Sequence, residues 1–324
     1  MKALVIRSLD GPRSLVVDEI EEPSPDPDGI LIEVVAAGMT FPDVLLSRGL
    51  YQYKPDLPFV PGCEVAGRVI CAPENSEFHA GQPVAAYCFV GGFAERVAVP
   101  ADRVFPMPAH LDFVTAAAIP MNYLTMHFGL VTRGRVQPGD WVVVHGAGGG
   151  LGVASIQIAK AWGARVIAIA SSQAKREETL RNGADHAIPV EGFLDSVRAL
   201  TAGQGADIVV DPVGGDRVTD SLRCLAPLGR LLVLGFTSGE IASVKTNRLL
   251  LNNLDVVGVG WGAYVLERPG FMRQQWDDLI QRMESHGVSI GRPTVVDLAD
   301  IPDQLIAMEN RSVAGKVVAR LSQD

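Results

Sequence analysis

The stretch Trp141-Val142-Val143-Val144-His145-Gly146-Ala147-Gly148-Gly149-Gly150-Leu151-Gly152, continued from Val153 to Ala170, decides how the chain is read. Trp141 to Val144 is a continuous apolar, mostly β-branched run, the pattern of a strand buried on both faces of a parallel sheet. A glycine-packed turn follows. Val153, Ile156 and Ala159 then recur at helical spacing, and Arg165 to Ala170 reads as a second buried strand. Strand, glycine turn, helix and strand form a βαβ unit of the length that a dinucleotide-binding half needs.

Within the turn the register is A-x-G-x-x-G, with Ala147 in the first position. Gly149 lets the backbone approach a pyrophosphate, and Gly152 lets the helix pack closely on the strand. Free amides of a helix starting near Leu151, with Gly150 beside it, would hold the anion. A dinucleotide site that reads the ribose 2′-hydroxyl places Asp or Glu at the end of the second strand. Here that position is Ala170, followed by Ser171, Ser172, Lys175 and Arg176. A solvated helical turn would account for the two cations alone. Missing acid and present base together favour a 2′-phosphate, so the expected cofactor is NADPH.

The 324 residues suggest two domains, 48% of them are apolar and 20% charged, and the net charge is −9. The acidic balance, with a pI near 5.2, argues against nucleic acid or an anionic membrane as partner. No apolar run approaches the roughly 18 residues of a membrane span. Met1-Lys2 leads straight into a strand pattern rather than a signal peptide. Cys63, Cys71, Cys88 and Cys224 show no C-x-x-C spacing and read as thiols of a cytoplasmic protein.

Residues 1–108 carry short strand patterns broken by Pro and Gly, namely Ala3–Ile6, Ile30–Ala36, Val65–Cys71, Pro83–Phe89 and Phe93–Val99. They predict an irregular β-barrel or sandwich. One helix interrupts them, with Thr40 as cap, Pro42 in the first turn and Gly49 as stop. Leu111 to Arg135 is helical in pattern. Further buried strands follow at Ala206–Asp211, Leu231–Gly235 and Leu254–Val259, and strands alternating with helices predict a doubly wound parallel sheet. After Trp261 come a helix around Trp276–Met283, a strand at Thr294–Val296, a helix near Ile301–Met308 and a strand at Lys316–Leu321.

With these pieces in order, the chain resembles the medium-chain dehydrogenase/reductase superfamily, in its zinc-free quinone oxidoreductase (zeta-crystallin-like) branch. The resemblance is carried by Ala37-Gly38-Met39-Thr40-Phe41-Pro42-Asp43, Ser47-Arg48-Gly49-Leu50-Tyr51 and Pro61-Gly62-Cys63-Glu64-Val65-Ala66-Gly67. It continues through Pro138-Gly139-Asp140, Asp211-Pro212-Val213-Gly214, Gly229-Arg230 and Gly315-Lys316-Val317-Val318. It implies an α/β protein with a GroES-like, β-rich catalytic domain in residues 1–121 and a Rossmann doubly wound parallel-sheet domain in 122–263. Residues 264–324 would return to the catalytic domain, and the whole would form a homodimer.

In the zinc-bearing relatives, Cys occupies the place of Thr40 and a His-Glu pair that of Cys63-Glu64. Two ligands are therefore of the wrong type here, and the expected metal content is none. The resemblance sets Thr40, Asp43 and Tyr51 beside the substrate and Thr125 near the nicotinamide. Tyr51 is the first choice of hydrogen-bond donor, with an aromatic at the rim of the cleft as its other reading. It sets Val213, Phe236, Thr237 and Trp261 along the cofactor, with packing at a domain seam as the other reading of Trp261, while Val190 stands where some NADPH-binding members carry a Tyr.

Without a Lewis acid, alcohol dehydrogenation is disfavoured, whereas a quinone or an enone already presents an electrophilic site to a hydride. The expected activity is NADPH-dependent reduction of a quinone or other α,β-unsaturated carbonyl compound. An enoyl- or acrylyl-CoA reductase is the alternative, with Arg48, Lys54 and Arg133 as loose candidates for the CoA phosphates. A nucleotide-binding protein without catalysis is a third reading.

Overall fold

The computed structural model describes residues 1–322. In chain order its first strands are β1 (Lys2–Ile6), β2 (Leu15–Glu19), β3 (Gly29–Gly38), β4 (Glu64–Cys71), β5 (Pro83–Tyr87), β6 (Arg96–Pro100) and β7 (Val104–Pro106). Next come β8 (Trp141–Val144), β9 (Arg165–Ile169), β10 (His186–Ile188), β11 (Ala206–Asp211), β12 (Leu225–Val233) and β13 (Asp255–Gly258), and last β14 (Thr294–Asp297) and β15 (Val317–Arg320). Two compact units result: Met1–Asn122 with Pro269–Trp276 and Gly291–Asp324, and Tyr123–Arg268 with Asp277–Ile290. No helix among the described residues is long and apolar enough to cross a membrane.

In the first unit the sheet order is β14-β15-β3-β4-β5-β7, with β6 also on β3 and the pair β1-β2 separate. The last strand closes this sheet, since Val318, Ala319 and Arg320 lie antiparallel to Gly38, Ala37 and Ala36. That pairing accounts for the C-terminal pieces that continue neither half in sequence. Ile30, Ile32, Val34, Val65, Val84 and Phe93 are among its buried core residues. Strand β2 is absent from the sequence expectation because its adjacent valines, Val16 and Val17, point to opposite faces and are both exposed, at 44% and 49%, so no alternation of apolar and polar residues marks it.

In the second unit the order is β10-β9-β8-β11-β12-β13, parallel throughout. The chain order therefore reverses between β8 and β11, and ligands of such sheets bind outside the carboxyl ends of the strands at that reversal. Strand β10, three partly buried residues, and the helix Phe193–Leu200, which buries Phe193, Leu194 and Val197, are absent from the sequence expectation. β12 starts at Leu225, ahead of the expected Leu231, with a register shift against β11 absorbing Pro227 to Gly229. The expected single return from 264 is divided. Residues 277–290 count with the second unit, where Asp278 Oδ2 lies 2.7 Å from His127 Nε2 and Arg282 Nε donates to the Ala161 carbonyl at 3.1 Å.

At Gly152 the helix Gly150–Ala161 touches the strand-to-helix turn. A Cβ there would stand 2.5 Å from both Ala147 Cα and the Gly146 carbonyl oxygen. A Cβ at Gly149 would meet only the Gly146 oxygen, at 3.6 Å. Gly152→Ala is therefore expected to cost about 1–3 kcal/mol of stability, and Gly149→Ala about 1 kcal/mol or less. Urea unfolding midpoints of the two variants check the contrast.

Candidate active site

Gly149, extended at φ −95° and ψ 171°, caps the helix Gly150–Ala161, one residue ahead of the expected start. The first bond within the helix runs from the Val153 amide to the Gly149 carbonyl at 2.9 Å. Ahead of it the amides of Gly150, Leu151 and Gly152 form the donor set that a helix N-terminus offers to an anion. Ala147 is fully buried, and its amide is bonded to the Ile169 carbonyl at 3.2 Å, fixing the turn to the end of β9.

The sequence reading assigned Gly148 no role. A Cβ at Gly148 would stand 3.0–3.2 Å from Cβ, Cγ and Cδ of Lys175. The lysine stem thus lies across the glycine turn, and a side chain at Gly148 would press it back by a few tenths of an ångström. Partial burial lowers the Lys175 ammonium pKa from its ordinary value. Ser172 caps the helix Gln173–Arg181, accepting from the Lys175 amide at 3.3 Å, and its hydroxyl proton remains available. Ser171 is exposed beside it. Arg176 Nη1 donates to the Ala170 carbonyl at 3.2 Å. The acid-free end of β9 is therefore ringed by two hydroxyls and two cations.

Asp211, at the end of β11, accepts from the amides of Val213 at 2.8 Å and Gly214 at 2.9 Å, which shapes the loop there. Val213 is buried, whereas Phe236 is 42% exposed beyond β12. The Thr237 amide donates to the Pro212 carbonyl at 3.2 Å, joining the two loops. Trp261 follows the packing reading. It is 2% exposed at the start of the helix Trp261–Leu266, so its indole is a packing element without an open face. Thr125 Oγ1 is buried and has no hydrogen-bond partner. His145 is fully buried, its Nε2 2.9 Å from Ser221 Oγ. Ser221 donates its own proton to the Arg217 carbonyl, so Nε2 carries the hydrogen. Burial pushes the His145 pKa down to about 4, which leaves a neutral core imidazole.

The first unit gathers Thr40, Asp43, Tyr51 and Cys63. Thr40 caps the helix Phe41–Ser47. Its amide and hydroxyl both donate to Asp43 Oδ2, at 2.8 and 2.7 Å, and the Gly62 amide donates to Asp43 Oδ1 at 3.0 Å. Asp43 is fully buried, and desolvation raises its pKa to about 6. Its three donors make it a brace between the helix and the Gly62 turn, a different role from contact with substrate. Thr40 Oγ1 also lies 3.3 Å from Cys63 Sγ, a buried thiol whose pKa burial pushes well up. Tyr51 has no hydrogen-bond partner among the described residues. Burial, and then the charges of Cys63 and Asp43, push its phenol up to about 12.

Behind this group lies a pair that the sequence reading quoted only as family signature. Lys316 Nζ is ion-paired with Glu64 Oε1 and donates to the Met39 carbonyl at 2.8 Å. Glu64 Oε2 accepts from the Met121 amide at 2.7 Å. At Gly38 a Cβ would fall 2.4 Å from Glu64 Oε1, so the pair leaves no room for a side chain. These residues do not fit a zinc ion. Thr40 is not a thiolate, Cys63 is held neutral, and Glu64 already faces an ammonium group. Among the described residues no three His, Cys, Asp or Glu side chains converge as ligands.

Comparison with known proteins brings these features together. Residues 26–109 match the family model of the alcohol dehydrogenase GroES-like domain, and residues 150–285 that of the zinc-binding dehydrogenases. Quinone oxidoreductase-like protein 2 of Rattus norvegicus is 33% identical over 324 residues, covering 99% of this chain and 92% of its own. A probable oxidoreductase of Mycobacterium abscessus superposes with a TM-score of 0.89 at 41% identity, over 99% of this chain and 98% of that one. The quinone oxidoreductase of Thermus thermophilus, solved also as its complex with NADPH, gives 0.82 at 33% identity, over 99% of this chain and all of that one.

Asp43 makes stability depend on pH. Its folded pKa of about 6 lies above the ordinary value of 3.8, so the folded state binds more protons in between. Stability should fall as pH rises from about 4 to about 6, by about 1–3 kcal/mol, and level off above. Urea titrations across this range should show the decline in the parent protein and its loss in Asp43→Asn.

Proposed function

The chain belongs to the medium-chain dehydrogenase/reductase superfamily, in its quinone oxidoreductase branch, and from that premise we propose that it is an NADPH-dependent reductase of quinones or enones. The observation that carries the cofactor is the end of β9, where Ala170 stands in place of an acid and the Lys175 stem crosses the glycine turn over Gly148. The amides of Gly150, Leu151 and Gly152 would hold the pyrophosphate. Ser171, Ser172 and Lys175 would hold the 2′-phosphate. Thr125, a buried hydroxyl without a partner, fits the polar edge of the nicotinamide, and Val213, Phe236 and Thr237 would flank the cofactor.

When bound, the reduced nicotinamide supplies a hydride. Tyr51 supplies a donor. With its phenol at about 12 it stays protonated through the physiological range and can hydrogen-bond an acceptor's developing oxyanion. Thr40 and Asp43 act as positioning residues, because the Thr40 proton is committed to the Asp43 carboxylate. Of the candidate cations of the enoyl-CoA alternative, Arg48 is taken up by an ion pair, while Arg133 has only its Nε engaged among the described residues. Arg48 is paired with Glu309 at 2.5 and 2.8 Å, and Arg133 Nε is held by the Gly258 carbonyl at 3.0 Å. A homodimer is part of the same proposal, supported by the open edge of β13 and by Leu250 and Leu251, exposed at 78% and 75% on the helix before it.

Loss of nicotinamide absorbance with a panel of quinones, enones and enoyl-CoA thioesters tests the activity. NADPH bound but oxidised by none of them would return the non-catalytic reading. Lys175→Ala is expected to raise KM for NADPH about tenfold, the loss of one charge-assisted contact, with KM for NADH within about twofold. Tyr51→Phe should lower kcat by about 10–100-fold while KM for NADPH holds. Steady-state kinetics with both coenzymes measure each.

A further inference from the structure

Phe89 follows β5 at a place where the backbone is strained. Its φ is 69°, and the Val90 amide donates to the Cys88 carbonyl at 2.8 Å. That i to i+2 bond with a positive φ at the central residue is a γ-turn of the rare, strained hand. A bulky residue in this region costs on the order of 1–3 kcal/mol and persists only where its surroundings impose it. Glycine would take the turn without that cost, and glycines do follow at Gly91 and Gly92.

The strain sets the ring of Phe89 in a particular place. Its centroid lies 5.2 Å from that of Tyr53, at an interplanar angle of 78°, and 5.4 Å from that of Tyr87. Tyr87 is buried, and its phenol is pushed up by burial and by the neighbouring charges of Cys63 and Tyr51. Tyr53 follows Tyr51 by two residues, so the aromatic group adjoins the segment that carries Tyr51. Its outer side stays open: Tyr53 is 45% exposed and Phe89 only partly buried. Phe89 keeps part of its ring in water, so burial offsets the strain only in part.

We infer that Phe89 is a specificity-determining residue, which with Tyr53 forms an aromatic wall for the planar rings of a bicyclic quinone. The inference rests on the reductase reading above and adds the shape of the acceptor. Aromatic rings meet favourably edge-to-face or offset, at about 0.5–1.5 kcal/mol per pair beyond the area they bury. An acyclic enone has no second ring to place there and gains nothing from the wall.

The test uses the full chain and 2,3-dimethyl-1,4-naphthoquinone, whose blocked ring carbons resist addition of the exposed Cys71 thiol. Calorimetric titration should show saturable binding by the parent protein, weakened about tenfold in Phe89→Leu and kept within about twofold in Phe89→Tyr. No saturable binding, or equal binding by Phe89→Leu, would overturn the inference. Should Phe89→Leu not fold, Tyr53→Leu at the open rim carries the same expectation. Turnover is read separately with NADPH. Binding that follows Phe89 without turnover of any acceptor sinks the reductase reading and leaves the wall. Turnover of quinone and 3-penten-2-one, both unaltered in Phe89→Leu together with unaltered binding, does the reverse.

Discussion

Lys316 and Glu64 meet almost out of water, the lysine side chain 9% exposed and the carboxylate not at all, and the first unit is assembled around that contact. A buried ion pair adds little net stability over an apolar pair of the same volume. What it gives is register. Lys316 stands one residue before β15, Glu64 opens β4, and the Met39 carbonyl that shares the ammonium precedes the Thr40 cap. One contact thus ties both ends of the chain to the segment carrying Thr40, Asp43 and Tyr51. Either charge without the other would be stranded in a site with no water to solvate it.

The second unit solves its problem with absent side chains. Gly152 brings helix and turn into backbone contact, and Gly148 leaves the surface on which Lys175 lies. A methyl group added at Gly152 would run into backbone, whereas one added at Gly148 would displace the lysine stem. Where Gly152 serves the packing of the fold, Gly148 serves the placement of a cation, and the partial burial that lowers the Lys175 pKa is a consequence of lying there.

Around the reacting end of the first unit the protonation states follow from burial. Cys63, Tyr51 and Tyr87 are all pushed upward, and Asp43 is lifted to about 6. Such a region favours neutral hydrogen-bond donors. This agrees with the proposed acceptor, whose own conjugation would spread the charge it receives, and among the described residues no three ligands converge for a metal cation. The aromatic rings at Tyr53 and Phe89 extend the same apolar character outward.

Much of this was legible without coordinates. The run Trp141 to Val144, the turn from Gly146 to Gly152 and the missing acid at Ala170 are local patterns, and local sterics and hydrogen bonding translate them directly into a strand, a turn and a helix. The short strands of the first unit announced themselves by Pro and Gly at their ends. The strand β10 did not, since its residues are only partly buried, nor did β2, whose adjacent valines are both exposed. Tertiary structure alone decided which side chains are free to act. The family resemblance sets Asp43 beside the substrate, yet three donors from Thr40 and Gly62 make it a brace. Trp261 reads as lining or as packing and packs inside, and Gly148 gains its meaning only from the distant Lys175. Sequence determines what each segment can form by itself. Contacts between distant residues, which decide the burial and hydrogen-bond partners of each group, exist only once the chain has folded.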